Sequence, residues 1–232
     1  MSLLDRLFGK KAPPPAPPPV DPAEVARAFT EATIGAHTFT VVRVGDLPVP
    51  TGRIVACDPL VCPETAPFER TVPPGTYGVE LAIARVSPDD ERCAAARLVI
   101  SDRPAVRWEL ALIENAPPLE PGQQPCYGVD AGVGSFMDVA CRDTLLAAMD
   151  PSTIENNYYD DVLCKELDGR RPTVDWSLHR PDPAKPHAVA VFSSGWGDGM
   201  YVTFVGFDDA GHVTCFMTDF EIVDPRSVPP TR

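Results

Sequence analysis

The sequence predicts a mainly β, α+β fold: an antiparallel β-sandwich or a strongly curved sheet, carrying two or three helices. Three observations predict it. Runs of β-branched and aromatic residues recur from Phe39 to Phe220, each bounded by glycine, proline, asparagine or aspartate. Proline, at 28 of 232 residues, is about twice as frequent as the roughly 5% usual in proteins and falls between these runs, which excludes a long-helix bundle. Capped helical patterns occur at only a few places.

The elements follow in order. Residues 1–11 place Leu3, Leu4, Leu7 and Phe8 on one helical face, followed by Lys10 and Lys11. That pattern fits weak peripheral contact with a membrane surface, a partner-docking peptide or a frayed terminus. Ala12–Pro19 is a proline–alanine spacer favouring extended polyproline II. Residues 1–20 are therefore set apart from one globular domain over 21–232. Asp21-Pro22-Ala23-Glu24 caps and opens a helix over Ala23–Ala32 with Val25, Ala28, Phe29 and Ala32 inward. Strands are expected over Phe39–Val44 and Leu47–Ala56, separated by a Gly45-Asp46 turn. Further strands are Tyr77–Val86, Ala94–Ser101 and Val106–Leu112, with Trp108 facing the core; Ser87–Arg92 and Glu114–Gln124 are loops. Tyr127–Asp138 breaks the rhythm with Gly132 and Gly134. Asp138 then opens a helix to about Met149, and a second helix over Ser152–Leu167 begins with a Ser152–Glu155 capping box, with Tyr158, Val162 and Leu163 inward. Arg170–Pro186 is a polar connection. Ala188–Phe192 is a strand delivering the loop Ser193–Met200. Tyr201–Phe207, the turn Asp208–Gly211 and His212–Phe220 complete a hairpin.

Composition narrows the function. The net charge is −13. Residues 1–11 hold Arg6, Lys10 and Lys11 against Asp5, so the rest of the chain carries −15. Such a body repels phosphate backbones and argues against nucleic acid as a partner. Cationic partners suit the charge without being required by it. The seven cysteines form no CxxC pair and no zinc set, so free thiols in a reducing cytoplasm are expected. No segment approaches the length of a membrane span, and no uninterrupted apolar core of signal-peptide length opens the chain.

Several separated blocks share one resemblance: Thr51–Pro59, Pro74–Tyr77, Val106–Glu109, Val129–Gly132 with Phe136–Asp138, and Ser194–Tyr201. Taken in this order, over roughly residues 37–220, the chain resembles the bacterial domain-of-unknown-function family 4241 (DUF4241). The resemblance implies a single mostly-β domain and no established activity.

Chemistry must then come from the residues. Asp58, Asp130, Asp138 and Asp198 stand at glycine- or proline-marked strand ends. Gathered together, carboxylates hold divalent cations or work as an acid–base pair; taken singly, each caps a turn or helix. No ligand spacing supports a metal, and no other cofactor is implied. No nucleophile elbow, dinucleotide fingerprint or P-loop occurs. Trp196 and Tyr201, on and beside a glycine loop carried by a hairpin, suit recognition. The leading reading is a cytoplasmic binding or interaction protein, of accessory or immunity type by analogy of class, taking a protein partner or small ligand. Its surface would combine Asp58, Asp130, Asp138, Trp196, Asp198 and Tyr201. The alternative is a hydrolase using the aspartates directly or through a divalent metal.

Overall fold

The computed structural model describes residues 20–120, 123–152, 157–167 and 173–223. Within them the chain forms two antiparallel sheets, face to face, with a helical layer on each outer side. Asp21 caps α1 (Pro22–Ala26) by accepting from Ala23 N–H at 2.9 Å, and Pro22 at the first position needs no such partner. A 3₁₀ turn (Arg27–Phe29) follows. The predicted helix is therefore shorter, and Ala32 is exposed while Val25, Ala28 and Phe29 are buried.

The large sheet contains β1 (Thr33–Ile34), β2 (His37–Val49), β4 (Gly75–Ser87), β5 (Asp90–Val99), β12 (Val213–Asp219), β11 (Gly199–Phe207) and β6 (Arg107–Leu110), in that spatial order. β7 (Cys126–Val129) also pairs with β11. The small sheet runs β3 (Ile54–Cys57), β8 (Val133–Asp138), β10 (Val189–Ser193), β9 (Trp176–His179).

Alternation along the small sheet explains its two buried faces. Ile54, Ala56, Phe136, Ala190 and Phe192 meet the large sheet in the central core. Their neighbours Val55, Met137, Val189 and Val191 face α2 (Val139–Ala148), a π-helix (Tyr159–Leu163) and α3 (Cys164–Leu167). A strand covered on both sides needs apolar residues throughout, and β8 is buried at all six positions. Phe192, Phe220 and Tyr201 pack edge to face at 6.0 and 4.9 Å between ring centres. Such pairs add about 0.5–1.5 kcal/mol each beyond the area they bury.

Several expectations are corrected. Gly45-Asp46 is not a turn: β2 runs through it, and β4 stays paired with one register shift between Arg43 and Gly45. A continuous partner strand outweighs local turn propensity, and the extra residue becomes a bulge. The chain turns later, and β3 opens at Ile54 in the other sheet. Ser87–Arg92 is mostly hairpin, since Ser87 already pairs with Asp90. Tyr127–Asp138 holds two strands, β7 and β8, joined through Gly132 at φ 69°. The connection Arg170–Pro186 carries β9, and Trp108 is half-buried on the outer face of the large sheet, away from the central core. The second helix is described from Tyr158 onward and begins as a π-helix. Its Ser152–Glu155 capping box, the peptide and spacer over residues 1–19, and the tail after Val223 lie outside the described residues. Among the described residues no helix is long and apolar enough to cross a membrane.

Candidate functional site

Three chain segments meet where β3, β7 and β10 end. Asp58 follows β3 and is fully buried. Its Oδ2 accepts from the backbone N–H groups of Asp130 (3.0 Å) and Ala131 (2.8 Å), and its Oδ1 from Leu60 N–H (3.0 Å). The turn that joins β7 to β8 is thus pinned on the Asp58 carboxylate. The glycine loop is tied to the same turn, for Ser194 N–H donates to Gly132 C=O at 3.1 Å. Gly199 pairs with Val129, so Asp198 and Asp130 lie one residue beyond the last rung of one ladder. Both are exposed.

The glycine loop is stiff for reasons visible in its geometry. Ser194 Oγ and Tyr201 Oη both donate to Gly197 C=O, at 2.9 and 2.8 Å. Burial raises the Tyr201 pKa, with the Glu221 and Asp198 charges adding to it, so the phenol remains a donor. Gly195 has φ 38°, and a Cβ there would lie 2.5 Å from Phe220 O. Only glycine fits that approach. Trp196 is partly buried against the outer face of the large sheet, with the Arg92 guanidinium 5.2 Å over its ring. Met200 is the exposed apolar residue here, at 58%; it pairs with Gly128, and its Sδ lies 3.4 Å from where a Cβ on that glycine would stand.

Five of the six residues singled out from sequence, Asp58, Asp130, Trp196, Asp198 and Tyr201, therefore belong to one end of the sandwich. Asp138 does not. It closes β8 five residues from Val133, about 16 Å away at strand rise. There its Oδ1 caps α2 through Ala140 N–H at 2.8 Å, and its Oδ2 accepts from Thr51 N–H at 2.9 Å. Among the described residues no group of three or more His, Cys, Asp or Glu side chains is placed to hold a metal ion.

Two further clusters lie apart from this end. His179 is buried between Tyr158 Oη, 2.5 Å from Nε2, and Glu166 Oε2, 3.0 Å from Nδ1. A carboxylate only accepts, so the Nδ1–H tautomer satisfies both contacts. Ser177 Oγ donates to the same Glu166 oxygen at 2.9 Å, and the set ties the π-helix and α3 to β9. The residues come from separate elements, which sequence spacing cannot join. The second cluster is a groove on the outer face of the large sheet, lined by Trp108, Arg97 and Arg103. Alternation along β6 was the available signal for Trp108, but it does not say which sheet face is central.

No curated protein and no solved structure matches the chain. A family model described as "Protein of unknown function (DUF4241)" matches residues 47–218, from the bulged end of β2 to the last rungs of β12. That span contains the Asp58 corner, the Asp130 turn and the glycine loop, and the chain belongs to the DUF4241 family.

Proposed function

We propose that this protein is a binding module, and that the stiff loop end bearing Asp130, Asp198 and Met200 recognises a protein partner with a basic face. The observation that carries the reading is the fate of Asp58. Its carboxylate is spent on three backbone N–H groups and is shut away from solvent, so it acts as a pin rather than as an acid or base. What this end offers outward is two acids and a flexible apolar side chain on a fixed backbone, the composition of a recognition surface. The seven free thiols suit a reducing cytoplasm.

The test is affinity capture from source-cell lysate with the intact protein and with an Asp130→Ala/Asp198→Ala/Met200→Ala variant. Partners retained at about 50 mM salt should be lost in the variant and should weaken on the intact protein near 0.5 M, where the Debye length is roughly 4 Å. The variant's Tm should stay within about 2 °C of the parent, since all three side chains are exposed. Equal capture by the two proteins would sink the reading. A rise in Tm with Ca²⁺ or Mg²⁺ that Asp198→Asn abolishes would replace it with the hydrolase alternative; a bound ion at 100 times its Kd stabilises by about 2.7 kcal/mol.

A further inference from the structure

The outer face of the large sheet is only partly roofed. Val25, Ala28 and Phe29 of the first helical turns cover Ala82, Ala84 and Met217. Beyond Arg27 a groove of about 470 Å³ opens between α1 and the segment Ser101–Ala105. Alternation builds its floor. Arg97 and Val99 of β5 and Cys215 of β12 face it, while Leu98 and Phe216 between them enter the central core. Gly206 leaves room for the wall: a Cβ there would stand 3.0 Å from Trp108 Cζ3 and 2.8 Å from Ala105 Cβ. The volume falls within the roughly 300–1,000 Å³ of small-molecule sites. The groove also lies at the Phe207 end of β11, eight residues from the loop end at Gly199, so it is independent of the surface proposed above.

Its charges are unequal in availability. Three arginines and two acids, Glu80 and Asp102, line it. Arg97 is already paired: Nε and Nη2 both donate to Glu80 Oε2, at 2.9 and 2.7 Å, and Phe29 lies 4.3 Å from its guanidinium. Arg27 is held by Glu24 and Glu31. Arg103 differs. Its side chain is 64% exposed and, among the described residues, makes one ion pair, from Nη1 to Asp208 Oδ2 at 3.1 Å. The rest of its planar fork is open to a ligand acid. The half-buried Trp108 lines the same groove, as does Ser101.

We propose that this groove binds a small aromatic anion with one acid group, its ring against Trp108 and its carboxylate or phosphate on Arg103. A ring matches the indole; an acid matches the open guanidinium. A single acid group suits a protein whose net charge of −13 opposes an anion carrying several such groups.

The experiment titrates the full chain by calorimetry with benzoate, phenyl phosphate, phenol and inorganic phosphate, following Trp fluorescence in parallel. Benzoate or phenyl phosphate should saturate below about 10 mM, with a fluorescence change, and whichever saturates identifies the acid. Phenol, lacking the acid, and inorganic phosphate, lacking the ring, should not. Arg103→Ala should weaken binding about tenfold or more, the equivalent of 1.4 kcal/mol. Arg103→Lys, which keeps the charge and loses the fork, should fall between, and Trp108→Phe should remove most of the fluorescence response. Asp130→Ala/Asp198→Ala should bind like the parent. No saturation by either aromatic acid, equal binding by Arg103→Ala, or equal binding of inorganic phosphate would overturn the proposal.

Discussion

At the scale of single residues, two aspartates of one sequence type have opposite energetic standing. Asp58 accepts three backbone N–H bonds in a fully buried site. Asp58→Ala leaves three donors without a partner, each costing about 1–3 kcal/mol, so a loss of about 3 kcal/mol or more is expected. For a domain of this size that lowers Tm by roughly 6–12 °C. Asp198→Ala, at an exposed loop position, should change stability by less than about 0.5 kcal/mol. Thermal melts of the two variants check this, and equal shifts would refute the assignment of Asp58 as the pin. The sequence announced both as loop-end acids, and turn chemistry was legible at each. What it could not announce was that the acceptor at 58 serves donors at 130 and 131, because nothing in a single chain records which distant backbone needs a partner. Trp108 and Trp196 show the same limit. One tryptophan sits in a strand and the other in a polar glycine loop, yet the strand residue lines the open groove and the loop residue is folded under Arg92.

At the scale of elements, caps and hairpins were the readable features. The Asp21-Pro22 start of α1 and the Asp138 start of α2 both occur as their capping chemistry requires. Asp138 does more than cap, since Thr51 donates to it through both N–H and Oγ1. Asp138→Ala should therefore cost more than the ~1 kcal/mol of an ordinary cap, about 2–3 kcal/mol once the Thr51 N–H is left unpaired. A double-mutant cycle with Thr51→Val, which removes the hydroxyl and keeps the N–H, should give a coupling near 1 kcal/mol by urea unfolding; a coupling near zero would mean that the Thr51 hydroxyl adds nothing to the Asp138 site. The elements that escaped sequence reading are those set by partners rather than by local propensity. β2 passes its glycine as a bulge because β4 continues beside it. β7 and β8 form from a glycine-rich stretch because β11 and β10 stand ready to pair with it. At Gly134 a Cβ would lie 2.6 Å from Tyr127 Oη, so that glycine serves close packing, not a loop.

At the scale of the whole molecule, the two sheets and two helical layers bury ionisable groups whose unfolded counterparts titrate normally, and this bounds the pH range of stability on both sides. On the acid side, the His212 backbone N–H, with the His212 ring and Arg103, holds the Asp208 carboxyl below its ordinary 3.8. A lowered carboxylate pKa stabilises the fold above the unfolded value, and that contribution is lost as pH falls below about 4 toward the folded value. On the alkaline side, burial pushes the Cys57 and Cys141 thiols from 9.0 up to about 12, and the Tyr158 phenol from 10.0 up to about 12. Unfolded chains then release protons that folded chains retain. Stability therefore falls between roughly pH 9 and pH 12, by up to about 1.4 kcal/mol per pH unit for each group. Urea unfolding from pH 3 to pH 11 should show a plateau from about pH 5 to 8.5 with a decline on each side. Asp208→Asn should flatten the acid limb alone, while Cys141→Ala and Tyr158→Phe should each flatten the alkaline limb alone. An alkaline limb that both variants leave unchanged would show that the Cys141 thiol and the Tyr158 phenol are not its source. The cause would then lie in the Cys57 thiol or in general charge repulsion, which a body of net charge −15 outside residues 1–11 also supplies and which added salt, unlike these substitutions, would relieve.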